Sequence, residues 1–251
     1  MKRIRAFGCS LTQQHHWKYL MNSLTDLDLK SYAIGSQGND IQFAQYMNAV
    51  HDGDILKDDI IIWQLTSTAR RMANKSNKKL DIRPGTNQVE GHGNGGWLDM
   101  ENIFCPGTRI SGVVSPIRRN SGTLDTNPKD TSLKQYMEWM EINNTGLSVY
   151  DTLLQLNGVK RDNDKLLVVF GWQDIFSTLH MDKPGKILML EAIKYLEKQG
   201  IDYIEESIID YSKRLYPHKK GLTQWHPPQE GYKSFTENCL LPKLKELEWL
   251  D

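Results

Sequence analysis

The residue types able to do chemistry fall in four short stretches. Near the amino terminus, RAFGCSLT (5–12) presents Cys9, Ser10 and Thr12 on a turn. GSQGND (35–40) offers Gly38 and Asn39, and TSTARR (66–71) offers the hydroxyls of Thr66, Ser67 and Thr68 ahead of Arg70 and Arg71. Far downstream, TQWHPPQEGY (223–232) carries Gln224 and His226. A serine hydroxyl is a poor nucleophile until a base takes its proton, and a histidine, titrating near neutral pH, suits that task. Hydrogen-bond donors aimed at a developing oxyanion, such as the N–H groups of Ser10 and Gly38, would complete such a centre. Each residue also has a plainer reading. Ser10 is a good helix N-cap, Gly38 permits a positive φ, and His226 stands in a turn ahead of two prolines. Thr66, Ser67 and Thr68 can close a strand end. Arg70 and Arg71 can pair in salt bridges, or one of them can grip an anionic group.

The elements that must position these residues can be read from the hydrophobic pattern. IRAF (Ile4–Phe7), LKSYAIG (Leu29–Gly35), DIIIWQL (Asp59–Leu65), KLLVVFGW (Lys165–Trp172) and IDYIEE (Ile201–Glu206) read as strands. The near-continuous apolar run of the third suits a strand buried on both faces. Helical spacing marks Trp17–Leu24, Asp40–Val50, Thr131–Leu156, Pro184–Gly200 with a glycine stop, and Pro227–Leu247 with a break near Pro242. Strands alternating with helices predict a mostly parallel five-stranded sheet covered on both faces. In such sheets ligands bind beyond the carboxyl ends of the strands, where the first three stretches fall. From about residue 74 to 130 the chain is rich in Gly, Asn, Pro, Ser and Thr. A structureless loop of that length is uncommon inside a domain, so this segment reads as an insertion after the third strand, with short strands of its own. The expectation is a single domain over residues 1–251.

Composition narrows the function classes. The 251 residues are 39% hydrophobic and 25% charged, and Lys plus Arg equals Asp plus Glu at 31 each. That balance argues against a general nucleic-acid binder. Cys9, Cys105 and Cys239 are scattered without CxxC spacing, which fits neither a disulfide framework nor a zinc site, and Cys9 reads as a small buried residue. His15 and His16 lack a third ligand at suitable spacing, so no metal is expected. GHGNGGW (91–97) follows no strand and lacks the Lys-Ser/Thr ending of a phosphate cradle, and no cofactor is expected. The start of the chain lacks the apolar core of a signal peptide, and no run approaches the length of a membrane helix. The expectation is a cytoplasmic protein with no membrane partner.

Taken in order, these stretches resemble the SGNH (GDSL-type) hydrolase superfamily. GCSLT resembles that family's first block, GSQGND its second and HPPQEG its last. The resemblance implies a flavodoxin-like three-layer α/β/α sandwich. It implies Ser10 as nucleophile, with Cys9 where the family usually has aspartate, and His226 as base. It implies Gly38 as an oxyanion donor, joined by Thr68 at the family's asparagine position. Asn39, Thr66, Arg70 and Gln224 fall where substrate contacts would lie. Gln224 and Thr223 stand where the family's triad aspartate is expected. The implied activity is ester hydrolysis, with a small-molecule or glycan ester, such as an O-acetylated sugar, as substrate. A descendant of the fold that only binds a ligand or partner, and an acyltransferase using the same serine, are the alternatives.

Overall fold

The structure is a computed structural model that describes residues 2–12, 17–33, 39–66, 104–105, 108–109, 151–171, 192–219 and 226–250. Five strands form one sheet: β1 (Arg3–Phe7), β2 (Asp28–Ser31), β3 (Ile60–Leu65), β6 (Leu166–Phe170) and β7 (Asp202–Ile204). Their order is β2-β1-β3-β6-β7, and every pair is parallel. Ile4 stands opposite Ile60 and Ile61 opposite Leu166. All six residues of β3 and all five of β6 are buried, as strands covered on both faces must be.

Helices α1 (Trp17–Ser23), α2 (Asn39–His51), α3 (151–162), α4 (192–198), α5 (Ile208–Leu215) and α6 (Gln229–Phe235) flank the sheet. The alternation of strand side chains sorts the core into two layers. Phe7, Trp63, Leu65, Val168 and Phe170 pack with Tyr46 and Ala49 of α2, Leu156 of α3 and Leu196 of α4. Ile4, Ala6, Ile62, Leu167 and Val169 pack with Leu20 of α1, Ile208 of α5 and Tyr232 and Phe235 of α6. The result is the expected three-layer α/β fold. Toward the amino ends of the strands, the buried Arg5 meets Asp28 at 2.6 Å and Asp59 at 3.7 Å, an ion cluster at the opposite end of the sheet from Ser10.

Several boundaries differ from the sequence reading. β2 ends at Ser31 rather than Gly35. Tyr32 still donates its N–H to Ala6 O at 2.7 Å, but its ring turns to stack on Phe7, while Ile34 and Gly35 lie outside the described residues. α3 runs on to residue 162 rather than ending at Leu156. Gly200, after α4, adopts φ 62° and provides the expected stop. α5 escaped the sequence reading, yet it carries a start signal. Ser207 caps it by accepting the Asp210 N–H at 3.0 Å, a serine followed three residues later by an acid. Near Pro242 the terminal helix does not break. A π-helical turn over Thr236–Leu240 leads directly into α7 (Leu241–Glu246), so the wider turn accommodates a proline that cannot supply a backbone donor. Within residues 74–130 the described part is a separate antiparallel ladder, β4 (Phe104–Cys105) with β5 (Thr108–Arg109). The rest of that segment lies outside the described residues.

Candidate active site

The chain enters the sheet at β1, adds β2 on one side and then crosses to β3 on the other. The carboxyl ends of β1 and β3 therefore flank the topological switch point, where sheets of this order open a crevice. Ser10 begins the first helical residues after β1, two positions beyond Gly8. Its Oγ lies 2.8 Å from His226 Nε2.

His226 is delivered from the far end of the sequence by a stiff connection. Pro227 and Pro228 follow it, and Pro228, at φ −64° and ψ 161°, sits at the N-cap of α6. Helix α6 lies very close to α5, because a Cβ placed on Gly231 would collide with Ser212 Oγ and stand 2.8 Å from Ser212 Cβ. One turn into α6, Tyr232 is fully buried in the same apolar layer as Cys9 and Leu11. Burial pushes its phenol well above the usual range, and the neighbouring Cys9 adds to the shift. The residues flanking Ser10 and the helix following His226 thus share one core.

The turn carrying Ser10 is anchored by Gln64 of β3. The amide Oε1 accepts from Cys9 N–H at 3.1 Å and from the Thr12 hydroxyl at 3.0 Å, and Cys9 Sγ stands 3.4 Å away. Gln64 Nε2 donates to Leu65 O at 2.9 Å. Sequence reasoning missed this residue, although it left a signal. Gln64 is the lone polar side chain of IIIWQL, a strand otherwise apolar on both faces, and a buried amide needs partners to be tolerated there.

At the end of β3, Asn39 makes two hydrogen bonds to the Thr66 backbone. Its Nδ2 donates to Thr66 O at 2.9 Å, and its Oδ1 accepts from Thr66 N–H at 3.0 Å. Asn39 is 3% exposed and Thr66 0%, so this amide is engaged with the chain itself and holds the strand end from which Thr68 follows. Gly38, Thr68, Arg70 and Gln224 lie outside the described residues, as do His15, His16, Ser67, Arg71 and Thr223. The structure thus brings Ser10 and His226 together and pairs Asn39 with Thr66.

Chemically, a serine hydroxyl bonded to an imidazole nitrogen can pass its proton to that nitrogen as the oxygen attacks an electrophile. Among the described residues, no group of three or more His, Cys, Asp or Glu side chains is arranged to hold a metal ion. Nor is any helix among them long and apolar enough to cross a membrane.

No protein-family model matches the chain, and no curated protein matches it. Among solved structures, the chain is similar to an acetyl xylan esterase from the rumen bacterium Butyrivibrio proteoclasticus, at 12% sequence identity and a TM-score of 0.43. The match covers all of this chain and 65% of that one.

Proposed function

We propose that this chain is a serine ester hydrolase of the SGNH type, acting on an O-acyl group, such as the acetyl of an O-acetylated sugar or glycan. The observation that carries the reading is the 2.8 Å hydrogen bond from Ser10 Oγ to His226 Nε2. It joins residues from the two ends of the sequence at the switch point of a parallel sheet.

In this mechanism Ser10 Oγ attacks the ester carbonyl and its proton passes to His226 Nε2. The oxyanion of the tetrahedral intermediate takes hydrogen bonds from the Ser10 and Gly38 N–H groups and the Thr68 hydroxyl, each such donor being worth roughly 3–4 kcal/mol. Collapse breaks the bond to the leaving alcohol, whose oxygen receives the proton back from His226. Water, deprotonated by the same imidazole, then attacks the acyl-enzyme, releasing the carboxylic acid and regenerating Ser10. Asn39 and Thr66 contribute by fixing the end of β3. Arg70 and Gln224 are candidates for substrate contact.

The test is hydrolysis of p-nitrophenyl acetate by the wild type and by Ser10→Ala. Removing the nucleophile is expected to lower kcat/KM by at least about 10³-fold. Equal rates would refute the reading.

A further inference from the structure

We infer that Gln64 is the positioning residue for the Ser10 turn, holding the serine in the geometry that meets His226. The inference rests on the Ser10–His226 reading and adds to it the group that sets the geometry.

The first support is where the hydrogen bonds go. Cys9 N–H is the backbone donor of the residue just before Ser10, and the Thr12 hydroxyl lies two residues after it. Both donate to one oxygen, Gln64 Oε1, at 3.1 and 3.0 Å. The Cys9 thiol also stands 3.4 Å from the same oxygen, so all of its partners among the described residues come from the Ser10 turn. The turn is therefore tied on both sides of the serine to a single atom. Thr12 N–H also donates to Cys9 O at 3.0 Å, closing the loop between the two tethered residues.

The second support is that the amide itself has one orientation. A backbone N–H can only donate and the Leu65 carbonyl can only accept. Exchanging the amide oxygen and nitrogen would break the bonds to Cys9 and Leu65 together.

The third support is steric. A Cβ on Gly8 would stand 2.9 Å from Gln64 Oε1 and would collide with Thr12 Oγ1. A Cβ on Gly171, just past β6, would stand 2.6 Å from Gln64 Nε2. The amide fits a slot bounded by glycines at the ends of two different strands. Gln64 stands on β3, the central strand, where it pairs with Val169 of β6 one residue beyond the last β1 pair, Phe7 with Trp63. The Ser10 turn is thus referenced to the central strand of the sheet, which fixes the serine as a near-attack geometry requires.

The experiment uses the full-length chain and a fluorophosphonate probe, with intact-mass detection of the adduct, its assignment to Ser10 by peptide mapping, and far-UV circular dichroism to confirm folding. For folded Gln64→Leu the labelling rate is expected to fall by about 10²-fold, the scale of a misplaced reacting group. In ester hydrolysis the same variant should lower kcat and leave KM close to wild type. Thr12→Val removes one donor with little change of shape and is expected to lower the rate by about tenfold, the scale of one hydrogen bond. Thr12→Ser, which keeps the hydroxyl, should restore it. If Gln64→Leu does not fold, the Thr12 pair decides the question. Folded Gln64→Leu or Thr12→Val labelling at the wild-type rate, even with a lowered Tm, would make the bracket merely structural and overturn the inference. Absence of label on wild-type Ser10 would instead overturn the Ser10–His226 reading, and this inference with it.

Discussion

Replacing Asn39 tests how the end of β3 is held. Asn39→Ala removes two buried hydrogen bonds at once: the donor to Thr66 O at 2.9 Å and the acceptor for Thr66 N–H at 3.0 Å. Both residues are almost wholly shut from water, so solvent cannot step in without opening the site. A buried backbone group deprived of such a bond costs about 1–3 kcal/mol, which gives roughly 2–6 kcal/mol for the pair. For a chain of this size that corresponds to a Tm drop on the order of 5–20 °C. Asn39→Asp separates the two bonds. One carboxylate oxygen can still accept the Thr66 N–H, but the other has no proton for Thr66 O, and the charge is buried. Burial and the facing carbonyl would raise the folded pKa of the introduced carboxyl above its unfolded value of about 4. A raised value stabilises the protonated folded state. Relative to wild type, this variant should therefore be most stable below about pH 4 and lose ground as pH rises through the folded value. Urea midpoints for the three proteins between pH 3.5 and 8 provide the check. Asn39→Ala within about 0.5 kcal/mol of wild type, or an Asn39→Asp penalty independent of pH, would refute the reasoning.

Gly231→Ala places a methyl against Ser212 Oγ and Cβ and is expected to destabilise by about 1–3 kcal/mol through overpacking. The double variant with Ser212→Gly should recover most of that loss in a thermal melt. The Arg5 guanidinium, donating to Asp28 at 2.6 Å, holds that carboxyl below the usual carboxylate range, although partial burial opposes it. A depressed carboxyl contributes stability above its unfolded value of about 4 that is lost as pH falls through the folded value. The stability gap between wild type and Asp28→Asn should therefore narrow as pH drops from 6 to 3, and a gap that widens on acidification would contradict this assignment.

The sheet was legible in the sequence because its strands are buried on both faces. IIIWQL and LLVVF leave no amphipathic ambiguity; the third strand begins one residue later than read, and the fourth is the Leu166–Phe170 core of the Lys165–Trp172 stretch. The second strand was overextended because the buried Tyr32 prolongs the apolar pattern while its ring has already turned to stack on Phe7. Burial thus outlasts the ladder. Helix α5 was overlooked although Ile208, Tyr211 and Leu215 stand at i, i+3 and i+7, because eight residues let that spacing run for only two turns. At Pro242 the rule that proline ends a helix was overridden by a wider turn before it. In the candidate site, Ser10 and His226 stood out because one follows the end of β1, the other leads into α6, and both bear reactive chemistry. Gln64 did not, because its role depends on which strands become neighbours. Only when β1, β3 and β6 lie side by side do Gly8, Thr12 and Gly171 surround its amide.

That arrangement and the Asn39 pairing solve the same physical problem in the same way. Strands diverge where a parallel sheet ends, and backbone groups beyond the last ladder bond need partners. A carboxamide presents a donor and an acceptor side by side, as a peptide unit does, and carries no charge. Asn39 reaches from α2 to both polar groups of Thr66. Two residues earlier in β3, Gln64 takes Cys9 N–H and the Thr12 hydroxyl and gives its own N–H to Leu65 O. Leu65 O also accepts from Gly171 N–H at 3.2 Å. The ends of β1, β3 and β6 and the start of α2 are therefore linked through neutral groups centred on Gln64, Leu65 and Thr66. A carboxylate at position 64 or 39 could accept the same N–H groups, but it would face the Leu65 or Thr66 carbonyl without a proton to give, and would bury a charge among partners that carry none. Amides at these two positions make the strand ends rigid without adding a fixed charge to the crevice in which Ser10 and His226 meet.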